Sequence, residues 1–88
     1  MSWSLYAKGT KEDIQKQLDA ATIYDSFPQV EQDQEKMAFE LIKHTIDSIE
    51  LPENKVFNVE AFGSCGQSDG KVTDNTVSVK VQTVVKAD

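Results

Sequence analysis

Residues Gln34 to Leu51 constrain this chain more than any other stretch. At 100° per residue, Met37, Leu41, Thr45, Ala38, Ile49, Ile42, Ile46 and Phe39 fall on one continuous arc of about 200°. Lys36, Glu40, Lys43, Asp47 and Glu50 fill the opposite side. A segment with this pattern folds as an amphipathic helix and requires an apolar layer to lie on. Lys43 and Asp47 stand at the i,i+4 spacing of a helix-surface ion pair. Pro52 ends the helix. Two starts are open upstream. Ser26 could cap a helix that carries Pro28 in its first turn, with Gln29 at capping-box spacing, and Asp33 could cap a shorter one. Glu31 and Glu35 project toward the apolar side, so the first turn or two are expected to overhang the core.

The layer beneath the helix is visible as alternation of period two. Trp3, Leu5 and Ala7 alternate with Ser4, Tyr6 and Lys8 until Gly9 breaks the pattern. Phe57, Val59 and Ala61 alternate with Val56, Asn58, Glu60 and Phe62, and Val77, Val79, Val81, Thr83 and Val85 alternate with Ser78, Lys80, Gln82 and Val84. These are three half-buried strands. A second helix is expected over about Lys11–Thr22, with Thr10 as N-cap, Glu12 and Asp13 in the first turn, and a thin stripe of Ile14, Leu18 and Ala21. Asp13 occupies the position where a capping box prefers Glu or Gln, so an imperfect box is expected. Gly63 to Asn75, rich in Gly, Ser, Asp and Asn, reads as a long hairpin loop.

The order β-α-α-β-β gives two amphipathic helices and three one-faced strands. The economical arrangement is an α+β two-layer sandwich in a single domain spanning residues 1–88, with both helices on one face of a three-stranded sheet. The last two strands form an antiparallel hairpin, and the pattern leaves open which of them the first strand joins. With 88 residues and one cysteine, Cys65, the domain has no internal disulfide and must hold itself by packing or share its core with a copy of itself.

The sheet face turned away from the helices is mostly polar, with Tyr6, Val56, Phe62 and Val84 as exceptions. If these four cluster, they form a contact patch, and a three-stranded sheet also has two free edges. Either feature points to a protein partner, most simply a second copy of the chain.

The net charge is −6, and every basic residue is lysine. Without the guanidinium fork and with this sign of charge, direct nucleic-acid binding is disfavoured. From Glu12 to Glu53 eleven acids face three lysines, a net of −8, while the rest of the chain carries six lysines and four acids, a net of +2. The helical layer is therefore the acidic one. Asp33, Glu40, Asp47 and Glu50 mark its candidate acidic surface, suited as an alternative to a basic partner such as a nucleic-acid-handling host protein.

Little in the sequence points to chemistry. Gly63 to Lys71 resembles a phosphate cradle only superficially. Cys65 stands where the first P-loop glycine belongs, Val72 where Ser or Thr should bind magnesium, and a strand follows instead of a helix. Cys65 and His44 are the only candidates for a nucleophile and base, and nothing in the local sequence activates the thiol. One His and one Cys do not make a structural zinc site, and Asp69, Asp74 and Asn75 lack the spacing of a calcium loop. No catalytic, cofactor-binding or metal residues are expected, and the chain reads as a non-enzymatic protein. No run approaches the roughly 18 apolar residues of a membrane span. The start Met1-Ser2-Trp3-Ser4-Leu5 is unlike a signal peptide, so residence in the cytoplasm is expected.

The opening MSWSLYAKG, the later VEAFGS and the closing VSVKVQ together resemble a set of small phage and prophage proteins. Those chains begin with a Met-x-Trp-Ser strand and a glycine, pass through two helices, and close with a V-x-A-x-G strand and a valine-rich strand. The resemblance implies a phage-type accessory protein acting in the host cytoplasm. It carries over no catalytic or binding residue, and the cysteine-bearing segment lies outside the matched pattern.

Overall fold

Alternating apolar residues on three strands and one apolar stripe on each helix can be buried together only in two layers, and the fold follows from this. The structure, a computed structural model, describes residues 2–21 and 28–86, with Gln67 described by its backbone alone. Its elements are β1 (Ser2–Gly9), α1 (Lys11–Ala20), α2 (Gln29–Asp47), β2 (Lys55–Ser68) and β3 (Lys71–Val85). The sheet order is β1-β2-β3 and both pairings are antiparallel, so β1 joins β2 and the central strand is β2. Ala7, Ile14, Leu18, Ile42, Ile46, Phe57, Val59 and Ala61 form one buried cluster between sheet and helices. Trp3, Leu5, Phe39, Val79 and Val81 pack on it as partly buried neighbours.

The α1 start is better capped than its sequence suggests. Thr10 Oγ1 accepts from Asp13 N at 3.2 Å and Asp13 Oδ2 accepts from Thr10 N at 3.0 Å, so the capping box closes with Asp in the third position. The hydrogen bond from the Thr10 backbone, and then that with its side chain, hold the Asp13 carboxyl below the ordinary carboxylate value. The helix ends at Ala20, short of Thr22, and Ala21 serves as its extended C-cap rather than as a member of the apolar stripe. Thr22 and the proposed cap Ser26 lie outside the described residues.

Helix α2 departs from the expectation at both ends. It begins at Gln29 with Pro28 as N-cap, ahead of Asp33, because the fixed φ of proline (−56°) leads directly into the first turn. It ends at Asp47, and Ser48 to Asn54 turn the chain into β2. The first turns do not overhang the core. Glu31 is fully buried and Gln34 nearly so. Met37 and Leu41, at the other margin of the apolar arc, are instead 57% and 51% exposed. The buried line runs through Glu31, Gln34, Ala38, Ile42 and Ile46, so the helix is rolled away from its hydrophobic margin.

The largest correction concerns Gly63 to Asn75. This stretch is no loop: β2 runs through Ser68, β3 starts at Lys71, and only Asp69-Gly70 turns the chain. Both turn residues have positive φ, 53° and 77°, the geometry of a two-residue hairpin turn that Asp-Gly favours. The register slips once, between Gly66 and Gln67. Beta-strand geometry gives fifteen residues a reach of about 50 Å, in line with the molecule's longest dimension of 51 Å. The same correction accounts for the packed first turns of α2, since the extended hairpin supplies the surface beneath them.

Candidate interaction surfaces

The open face of the sheet carries the four apolar exceptions, but the register separates them into two pairs. Ser4, Phe62 and Ser78 form one cross-strand row, and Tyr6, Glu60 and Lys80 form the next. Tyr6 and Phe62 are thus diagonal neighbours, within reach of aromatic side chains. They are 62% and 47% exposed and border a shallow depression of about 370 Å³. Val56 and Val84 face each other two rows away. Val56 is buried, although it lies outside the main core cluster. Between the pairs runs the polar row Lys8, Asn58 and Gln82. Asn58 Oδ1 is shielded there with no hydrogen-bond partner among the described residues, a standing cost of about 1–3 kcal/mol. The four residues do not make one continuous patch.

Asp33, Glu40, Asp47 and Glu50 are all exposed. Asp33, Glu40 and Asp47 repeat every seven residues and so share one side of α2. Asp47 is not unopposed, because Lys11 of α1 lies 3.6 Å away. Lys43 pairs with Asp19 of α1 at 3.3 Å and not with Asp47, so the expected ion pair within the helix is replaced by two pairs between helices. Exposed pairs of this kind contribute about 0–1 kcal/mol each. They reduce the acidic character of the flank where the helices meet.

His44 and Cys65 are not brought together. Gln34 Nε2 donates to Ser64 O, which places that part of α2 beside Cys65, and His44 lies ten residues, about 15 Å, further along the helix. Cys65 is buried and His44 exposed. Among the described residues no three His, Cys, Asp or Glu side chains come together as a metal-binding group, and no helix is long and apolar enough to cross a membrane.

Two features escape sequence reasoning. The first is a polar clamp. Trp3 Nε1 donates to Gln34 Oε1 at 3.2 Å, while Gln34 Nε2 donates to Ser64 O at 3.0 Å and to Asn75 Oδ1 at 2.6 Å. One glutamine therefore ties α2 to all three strands. Its trace in the sequence is its phase, since Gln34 stands on the line of Ala38, Ile42 and Ile46. The second is the edge of β3. Among the described residues β3 pairs only with β2, so one side of a fifteen-residue strand is open. Natural edges of this length are usually blunted by charge, proline or a bulge. From Thr76 to Val85 the only charge is Lys80, there is no proline, and the register slip lies outside this stretch. Met37 borders a depression of about 200 Å³ with Val30, Asp33, Gln34 and Asn75, so the exposed margin of α2 stands over this edge.

Comparison with protein-family models, with curated proteins and with solved structures yields no match.

Proposed function

We propose that this chain is a non-enzymatic assembly module that associates with copies of itself through its sheet. The observation that carries the reading is the open β3 edge, which is long, has Lys80 as its only charge from Thr76 to Val85, and has the exposed Met37 beside it near Asn75. Backbone N–H and C=O groups on such an edge offer a template for another strand, and the apolar side chains above it add area to be taken from water. The open face is the weaker site, because its polar middle row divides Tyr6 and Phe62 from Val56 and Val84. The resemblance of the strands to small phage proteins supports an accessory role in assembly, in the host cytoplasm.

Mass in solution tests this reading. The expected result is a mass that rises with concentration from the monomer's 9.8 kDa toward twice that value over the micromolar range. A strict monomer at several hundred micromolar would sink it. The acidic surface of the helical layer predicts instead salt-sensitive capture of a basic protein, lost when several of Asp33, Glu40, Asp47 and Glu50 become lysine. The ion pair of Asp47 with Lys11 makes this the less favoured reading.

A further inference from the structure

The way two copies meet can be read from the distribution of side chains along β3. We infer that two β3 strands pair antiparallel about a two-fold axis through Val77, which joins two three-stranded sheets into one of six strands. This rests on the self-association proposed above and adds its register and its contacts.

Antiparallel pairing of a strand with its own copy keeps every residue on its own face. Val77, Val79 and Val81 would extend the helix-covered face across the junction, and Ser78, Lys80 and Gln82 the open one. Both copies then carry their helices on the same side, so that the exposed margins of α2 meet over the seam. The charges select the register. Asp74 and Lys80 both lie on the open face and are both exposed. An axis through Val77 sets each Lys80 directly opposite Asp74 of the partner subunit, twice per dimer, with no like charges opposed. The helix layer agrees with this choice. Gln34 contacts Asn75 and the backbone oxygen of Thr76, and Met37 lies one turn further, about 4.5 Å along the axis, level with Val77. The two Met37 side chains therefore approach each other at the dyad.

The area suffices. Overlap of residues 71–83 is about 44 Å long, and sheet edge and helix flank together are roughly 14 Å deep. This gives about 600 Å² per copy, at the lower limit of a specific interface.

The test is a charge swap read by sedimentation equilibrium. Lys80→Asp alone should raise the dimer Kd about tenfold or more, and Lys80→Asp combined with Asp74→Lys should bring it back to within about threefold of the native value. Rescue cannot arise within one chain, where residues 74 and 80 are about 20 Å apart along the strand. Independently, Val77→Cys should cross-link with itself under mild oxidation, whereas Val81→Cys, about 27 Å from its copy in this register, should not. A dimer that ignores the swap, fails to cross-link at position 77 and dissociates on Phe62→Asp would refute the β3 seam while leaving self-association standing. A monomer at all concentrations, including one that accepts an extended segment of another protein on β3, would refute both.

Discussion

Gly63→Ala probes the clamp at its tightest point. Gly63 lies on β2 opposite Trp3, and a methyl built there would stand 2.6 Å from Trp3 Cε2 and 2.7 Å from Gln34 Oε1, with Trp3 Nε1 closer still. Contacts below 3 Å force the indole to move. Its movement breaks the 3.2 Å hydrogen bond to Gln34 and the edge-to-face contact with Phe39, whose ring centroid is 6.4 Å away at 87°. Overpacking of this kind costs about 1–3 kcal/mol and loss of the hydrogen bond about 1 kcal/mol more. The reduced freedom of the unfolded chain returns about 0.4–1 kcal/mol. The net expectation is a loss of about 1–3.5 kcal/mol, a substantial share of the roughly 4–13 kcal/mol that a chain of this length holds. With a urea m-value of about 1 kcal/mol/M, the midpoint should fall by about 1–3.5 M. Trp3 is the only tryptophan, so its fluorescence reports the same site during the melt. Trp3→Phe, which removes the indole nitrogen, should make Gly63→Ala less costly in the double variant than alone. An unchanged midpoint together with native emission in Gly63→Ala would refute the close-packed clamp.

Two further outcomes follow from the caps and the turn. Gly70→Ala should destabilise the hairpin by about 1 kcal/mol, because φ of 77° disfavours any L side chain while nothing lies within 4 Å of the added methyl; equal stability in denaturant melts would exclude this turn geometry. The Asp13 carboxyl, held low by Thr10, adds stability that is fully present above about pH 4 and is lost as pH falls through its depressed value. Asp13→Asn should therefore flatten stability against pH on the acid side of about pH 4, and an unaltered slope would remove the capping box from the account.

Much of the architecture was legible because binary pattern encodes which side of an element is apolar. The arc from Ala38 to Ile46 and the alternations at Trp3–Ala7, Phe57–Ala61 and Val77–Val81 specify helix and strand locally, and two layers are the economical way to bury them. The hairpin arm is hidden in the sequence because Gly, Ser, Asp and Asn have the composition of a loop, although Asp69-Gly70 alone suits a two-residue turn and the rest pair across it. Of the candidate surface, alternation puts Tyr6, Val56, Phe62 and Val84 on one side of their strands, but their division into two pairs is a matter of register and the burial of Val56 is a matter of packing.

The amino-acid order thus determined the kinds of element, their succession and the apolar face of each strand, since these depend on neighbours within a few residues. The tertiary structure decided that β1 pairs with β2, that Gln34 is buried as a clamp while Met37 and Leu41 stand out, and that β3 is left as an edge. Periodicity states which face seeks cover; it does not state what lies opposite. A buried glutamine is tolerable only where Trp3, Ser64 and Asn75 converge on it, and that convergence exists only once residues 30 to 41 positions apart are brought into contact.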